Sequence, residues 1–245
     1  NLGGNADIYR VSLAGGEPER LTTDPADDFA PDLSADGRAI AFHSWRAGSR
    51  DIYVMPLDGG PTQRVTSSPA QEWLPAWAPD DSALAFGVAN SPGPLMIVRR
   101  HADGTWGAPV ARLAAGAQWP AWSPDGRVLA YATDPEMLRS GLGVVPADSG
   151  APRILIDTTQ AAAPTVEQPL WSADGRWIYF KSHDARGNAS LWAEPAGGGA
   201  PRLLVRFDDP ARPSYRAAWA LGRDRFYFTI EDRQSDVWVM DVASR

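Results

Sequence analysis

Three histidines, His43, His101 and His183, are the side chains best suited to act as general bases or metal ligands near neutral pH. They fall at non-equivalent points of an internal repeat described below, so they do not form the convergent set that a metal centre needs. The acidic groups Asp24, Asp27, Asp28 and Asp208, Asp209 offer carboxylate oxygens to a hard cation. They lack the spacing of a calcium loop and read as solvated loop charge. Arg46, Arg50, Arg139 and Arg186 could meet an acidic partner, although scattered arginine ordinarily serves solubility. No G-x-S-x-G elbow, no G-x-x-x-x-G-K-[ST] phosphate loop and no H-E-x-x-H pair occurs. With no cysteine there is no thiolate nucleophile, no thiolate metal site and no disulfide framework. No catalytic residue, metal or cofactor is assigned, and the chain is read as noncatalytic.

A second constellation is chemically different. Asp28 and Phe29, Glu72 and Trp73, Gln118 and Trp119, Glu167 and Gln168, Tyr215 and Arg216 recur just before one particular strand of the repeat. Aromatic rings supply rigid contact area, and neighbouring acids and amides supply orientation, which is the composition of a protein-binding surface. Trp73 and Trp119 could instead cover seams between repeats. A protein partner is the leading expectation, with a small ligand in a central cavity as another. The net charge of −7 and pI near 5.0 disfavour nucleic acid, which requires clustered cations to replace phosphate counterions. No stretch of eighteen apolar residues marks a membrane span, and no secretory leader is present, although association with a membrane complex stays open.

The elements that would position these residues follow from the repeat. The segments PDLSADGRAIAF, PAWAPDDSALAF, PAWSPDGRVLAY, PLWSADGRWIYF and AAWALGRDRFYF place Leu33, Trp77, Trp122, Trp171 and Trp219 at steps of 44, 45, 49 and 48 residues. A second string, DIYRVSLAGG or DIYVMPLDGG in its clearest copies, keeps the same beat. Each unit reads as four short strands, a to d, with Asp-Gly turns between a and b and Gly-rich turns between c and d. The tally is 21 strands: two from the first segment, sixteen from four full units and three from the last. A single meander cannot bury both faces, so neighbours must stack, and radial stacking is usual at about this repeat length. The four recurring indoles are expected at equivalent core sites. The a–b and c–d turns are uniform, whereas the b–c and d–a loops on the opposite face vary in length, as loops free to acquire a partner do.

These strings resemble the WD-like repeats of TolB-type β-propellers over essentially the whole chain. The resemblance implies an all-β fold, a propeller of four-stranded antiparallel blades. Six blades are expected, with five as the alternative and with the ring incomplete at the N-terminus. Asn1 aligns with Trp45 of the next unit, so the chain is expected to open inside a blade, after an upstream segment. One domain spans 1–245: a partial blade at 1–22, then repeats near 23–66, 67–113, 114–156, 157–205 and 206–245. Relatives of this kind imply a scaffold or interaction domain of a bacterial assembly, extracytoplasmic or periplasmic. The alternatives are an accessory propeller of a peptidase or amidohydrolase and a small-ligand sensor.

Overall fold

The computed structural model describes residues 4–58, 60–89, 93–133, 140–158, 163–209, 213–214, 216, 218–222, 225–230 and, as backbone, 236–241. Every regular element among them is a β-strand, and the 21 strands form six antiparallel sheets. The first sheet joins β1 (Tyr9–Arg10) to β2 (Glu19–Arg20). The second runs β3 (Asp28–Leu33), β4 (Ala39–Ser44), β5 (Asp51–Pro56) and β6 (Gln63–Arg64). The third runs β7 (Glu72–Trp77), β8 (Ala83–Val88), β9 (Leu95–Arg99) and β10 (Val110–Leu113). The fourth runs β11 (Gln118–Trp122), β12 (Val128–Ala132), β13 (Leu142–Pro146) and β14 (Arg153–Ile156). The fifth runs β15 (Glu167–Trp171), β16 (Trp177–His183), β17 (Ala189–Pro195) and β18 (Arg202–Phe207). The sixth holds β19 (Trp219–Leu221), β20 (Arg225–Ile230) and β21 (Asp236–Asp241). Every sheet is a meander pairing strands adjacent in sequence.

This is an all-β propeller architecture of four-stranded antiparallel blades. Among the described residues four of the six sheets are complete four-stranded blades, and the first and last have two and three strands. The chain divides into two compact units, 1–118 and 119–245.

Within each unit the core lies between successive sheets. In the first unit Ile8 packs on Ile40, Phe42 and Tyr53. Ala41, Ile52 and Val54 pack on Trp77, Leu84 and Phe86. In the second unit Ala130, Leu142 and Ile156 pack on Ile178 and Phe180. Leu191 and Phe207 then pack on Trp219, Phe226 and Phe228. One position of the second strand is aromatic throughout: Phe42, Phe86, Tyr131, Phe180 and Phe228, all buried. The recurring tryptophans are less uniform than expected. Trp77 and Trp219 are buried, while Trp122 and Trp171 are half-buried. Trp171 lies where its Nε1–H reaches the Ala121 carbonyl of the preceding sheet at 3.0 Å, and a seam site of this kind need not be enclosed.

The a–b turns repeat one solution. Gly37, Gly126 and Gly175 have φ of 71°, 70° and 69°, and each donates to the carbonyl three residues earlier at 2.9 Å. That backbone is costly for residues with a Cβ, which accounts for the Asp-Gly pairs. At the opposite end, strand a opens on a second left-handed residue. Ala30, Leu74, Trp119 and Gln168 have φ between 45° and 55°, and each precedes a proline. In β3, β7 and β15 this residue lies within a register shift against the neighbouring strand. Four non-glycine residues in this region store strain of about 1 kcal/mol or more apiece, which the surrounding bonds must offset.

Candidate functional site

The strained openings of the a strands lie beside the residues singled out as a recognition surface. Asp28, Glu72, Gln118 and Glu167 are buried. Asp28 accepts two bonds from Arg46 Nη2, at 2.8 and 2.9 Å. Glu72 Oε1 accepts from Ser68 Oγ at 2.8 Å, and burial raises the pKa of this carboxyl. Glu167 Oε1 meets His183 Nδ1 at 2.9 Å. Gln168 clasps the next strand a: its Nε2 donates to the Trp219 carbonyl at 2.9 Å, and Trp219 Nε1 donates back to the Gln168 carbonyl at 3.0 Å. Trp119 packs against the core between the fourth and fifth sheets. Arg216 is exposed, and its carbonyl accepts a bond from Lys181. Tyr215 and Arg139 lie outside the described residues.

Phe29 and Trp73 have different surroundings. Phe29 is 42% exposed and meets Trp45 edge-on, with centroids 5.8 Å apart. The Trp73 indole lies against Gly87, where an added Cβ would stand 3.0 Å from Nε1. The Arg50 guanidinium stands over the Trp45 ring at 4.3 Å and over the Trp73 ring at 5.1 Å. Phe29, Trp45, Arg50 and Trp73 therefore form one aromatic and cationic group within the first unit.

The loop acids have internal partners. Asp24 Oδ1 accepts from the Ala26 amide at 2.9 Å, and Asp27 Oδ1 accepts from the Ala6 amide at 2.7 Å. Asp208 and Asp209 are exposed, and Arg186 is an exposed turn residue. Among the described residues no group of three or more His, Asp or Glu is arranged to hold a metal ion.

A less obvious cluster surrounds Lys181, which is fully buried in β16. Its Nζ donates to the Ser214 carbonyl at 2.8 Å, to Ser214 Oγ at 2.7 Å and to the Arg216 carbonyl. A Ser–Lys pair at that distance resembles a nucleophile and its base, but three acceptors match the three protons of an ammonium group. Ser214 Oγ is itself committed to the Thr229 carbonyl at 2.6 Å. The arrangement is a clamp on the backbone that enters the sixth sheet. His43 occupies the same repeat position in β4, and its Nδ1 accepts from the Leu74 amide of the next sheet at 3.3 Å. Repeat alignment locates this position, but the sequence carries no signal that its occupant reaches the following sheet.

The three histidines have different surroundings. His101 is exposed. His43 is buried, and desolvation, with a smaller contribution from Arg50, depresses its pKa from the ordinary 6.5 to about 3. His183 is raised, first through its bond to Glu167, and its Nε2 faces the Ser214 carbonyl at 3.1 Å. With carboxylate on one side and carbonyl on the other, His183 donates from both nitrogens.

The signs for stability follow by linkage. His43 contributes stability that is complete above pH 6.5 and is lost as pH falls toward 3. His183 contributes stability that is complete below pH 6.5 and is lost as pH rises through its elevated folded value. We expect His43→Gln to flatten the acid limb of an unfolding-stability profile and His183→Gln to flatten the limb above pH 6.5. Histidine ring resonances showing His43 titrating between pH 5 and 8 would refute the first assignment.

Comparison with known proteins agrees with this architecture. Residues 4–136 match the family model described as the tricorn protease N-terminal β-propeller domain. A candidate TolB from Agrobacterium tumefaciens superposes with a TM-score of 0.73 at 21% identity, over 92% of this chain and 80% of that one. A puromycin-hydrolysing peptidase of Mycobacterium tuberculosis gives a TM-score of 0.68 at 15% identity; the match takes in 99% of this chain but only 41% of the peptidase. A chain of a nidogen/laminin complex gives 0.72 at 13% identity, over 98% and 87% of the two chains. At these identities the likeness is one of fold. No curated protein sequence matches the chain.

Proposed function

The chain belongs to the family of the tricorn protease N-terminal β-propeller domain, and from that premise we propose that it is a noncatalytic propeller that holds a protein partner within a larger bacterial assembly. The observation that carries this reading is the group formed by Phe29, Trp45, Arg50 and Trp73. It combines an exposed ring with a cation held between indoles, the side-chain types that anchor protein interfaces. The b–c and d–a loop face is the proposed contact side, carrying Asp28, Phe29, Glu72, Trp73, Gln118, Trp119, Glu167, Gln168, Tyr215 and Arg216. On this reading the buried acids and Gln168 support that face, while Phe29 and Trp73 touch the partner. Absence of catalysis is supported by the Lys181 and His183 bonds, which leave neither group available as a base. The resemblance to TolB-type repeats favours an extracytoplasmic, periplasmic setting and a six-bladed ring that counts the two short sheets as parts of blades.

A second reading, an accessory propeller of a peptidase, is favoured by the family match and by the peptidase of which the chain spans 41%. The coding sequence upstream of Asn1 separates the two, since a hydrolase domain there selects the second. For the first, cross-linking of the intact protein in its native cells is expected to map contacts to the loop face. Trp73→Ala is expected to weaken partner capture about ten-fold, or 1–2 kcal/mol, while leaving the thermal midpoint nearly unchanged. Contacts confined to the Asp58 and Asp125-Gly126 turns, or to the outer edges of the fourth strands, would overturn it.

A further inference from the structure

Arg50 is unusual among the charged groups of the first unit. The acids of the same sheets bond elsewhere: Asp28 with Arg46, Asp51 Oδ2 with Arg64 at 2.9 Å and with Ser49 Oγ at 2.9 Å, and Glu72 Oε1 with Ser68, while Asp51 Oδ1 and Glu72 Oε2 meet no donor among the described residues. Arg50 Nε is enclosed and meets no acceptor among the described residues, and the same holds for Trp73 Nε1 on the ring beside it. An enclosed N–H without an acceptor costs on the order of 1–3 kcal/mol. Arg50 Nε and Trp73 Nε1 are thus two donors on neighbouring side chains that the described residues leave without an acceptor.

His43 stands beside the Phe29 and Trp45 rings. Its Nδ1 accepts from the Leu74 amide, so the ring proton of the neutral imidazole is on Nε2. Burial keeps the ring neutral across physiological pH. The surroundings are apolar: the His43 ring lies 5.6 Å from Trp45 and 5.9 Å from Phe29, measured between centroids. Flanking indoles hold the guanidinium by cation–π attraction, leaving its plane preorganised for a carboxylate.

We propose that the Arg50 guanidinium, with the Phe29–Trp45 rim, is a binding site for the side-chain carboxylate of an Asp or Glu that a partner protein presents next to an apolar residue. A half-buried arginine with no acid partner among the described residues suits that occupant by charge, and the exposed Phe29 ring suits its apolar neighbour. The inference rests on the protein-partner reading and names the partner's chemistry.

The test uses the full chain and two blocked peptides, acetyl-Leu-Glu-Leu-amide and acetyl-Leu-Gln-Leu-amide. Titration is followed by the indole N–H resonances of Trp45 and Trp73. The Glu peptide is expected to shift the Trp73 resonance and to bind at least ten-fold more tightly than the Gln peptide. Arg50→Gln is expected to abolish that preference, and Arg50→Lys to recover only part of it, because a point charge lacks the planar fork. The Glu-versus-Gln comparison on unaltered protein needs no variant, so the test survives a destabilising substitution. Equal binding of the two peptides, or no response of Trp73, would overturn the proposal. So would tighter binding of a peptide with a free C-terminus and no acidic side chain, which would make a chain terminus the occupant. Should the Trp73→Ala capture experiment succeed while the peptides fail, only the Arg50 assignment falls; should Trp73→Ala leave capture unchanged while the peptides discriminate, the contact assigned to Trp73 falls and the carboxylate preference of Arg50 stands.

Discussion

Replacing Phe86 by Ala is expected to lower the unfolding free energy by about 3–5 kcal/mol. Phe86 is fully buried in β8, at the centre of the cluster that joins the second and third sheets. Its neighbours Ala41, Ile52, Trp77 and Leu84 come from two rigid sheets, which limits how far the site can collapse around the lost ring. The cost combines lost transfer energy with a residual cavity. Denaturant unfolding monitored by tryptophan fluorescence gives the number directly. A loss below about 1 kcal/mol would mean that the sheets close over the gap, and that their stacking is softer than the side-chain packing indicates. Phe180 occupies the same repeat position in the second unit, fully buried, and should behave alike.

Lys181→Met is expected to cost about 1–3 kcal/mol, although Met has nearly the same length and greater hydrophobicity. The reason is polar. Removing Nζ takes a donor from Ser214 Oγ and from the Arg216 carbonyl and leaves the Ser214 carbonyl with His183 Nε2 alone, and a lost buried hydrogen bond costs on the order of 1–3 kcal/mol. The effect should be local. Amide hydrogen exchange should accelerate in the fifth and sixth sheets while β4 and β5 keep their protection. If Lys181→Met were neutral or stabilising, the buried amine would be a tolerated burden and not a clamp, an outcome with precedent for buried charges.

The contrast between these two residues explains how much of the protein was readable in its sequence. The Phe86 position repeats as Phe42, Tyr131, Phe180 and Phe228, so alignment of the chain with itself exposes it. The same self-comparison gives the Asp-Gly turns and the tally of 21 strands. Lys181 breaks the repeat, since His43 and Gly87 hold its place elsewhere, and its purpose depends on a segment more than thirty residues away. The acids Asp28, Glu72 and Glu167 were legible as a pattern, but not as the first residues of strand a turned inward onto Arg46, Ser68 and His183. Those partners sit at a different place in each unit, so no periodic signal marks them. Left-handed Ala30, Leu74, Trp119 and Gln168 were hidden for another reason: none is glycine, and tertiary bonds such as His43 to the Leu74 amide hold a conformation that residue type disfavours.

The meander order of the sheets also bears on how the chain reaches this state. Every hydrogen-bonded strand pair among the described residues joins neighbours in sequence, so none of these pairings must wait for a distant segment. Loop-closure entropy is therefore small for each hairpin, which favours fast local steps despite the all-β composition. On the ribosome, one sheet can complete its pairing before the residues of the next emerge. It then offers them a finished apolar face on which to condense. The slow steps left over are the docking of one sheet on the next and the trapping of four left-handed residues before proline, both of which come after the hairpins.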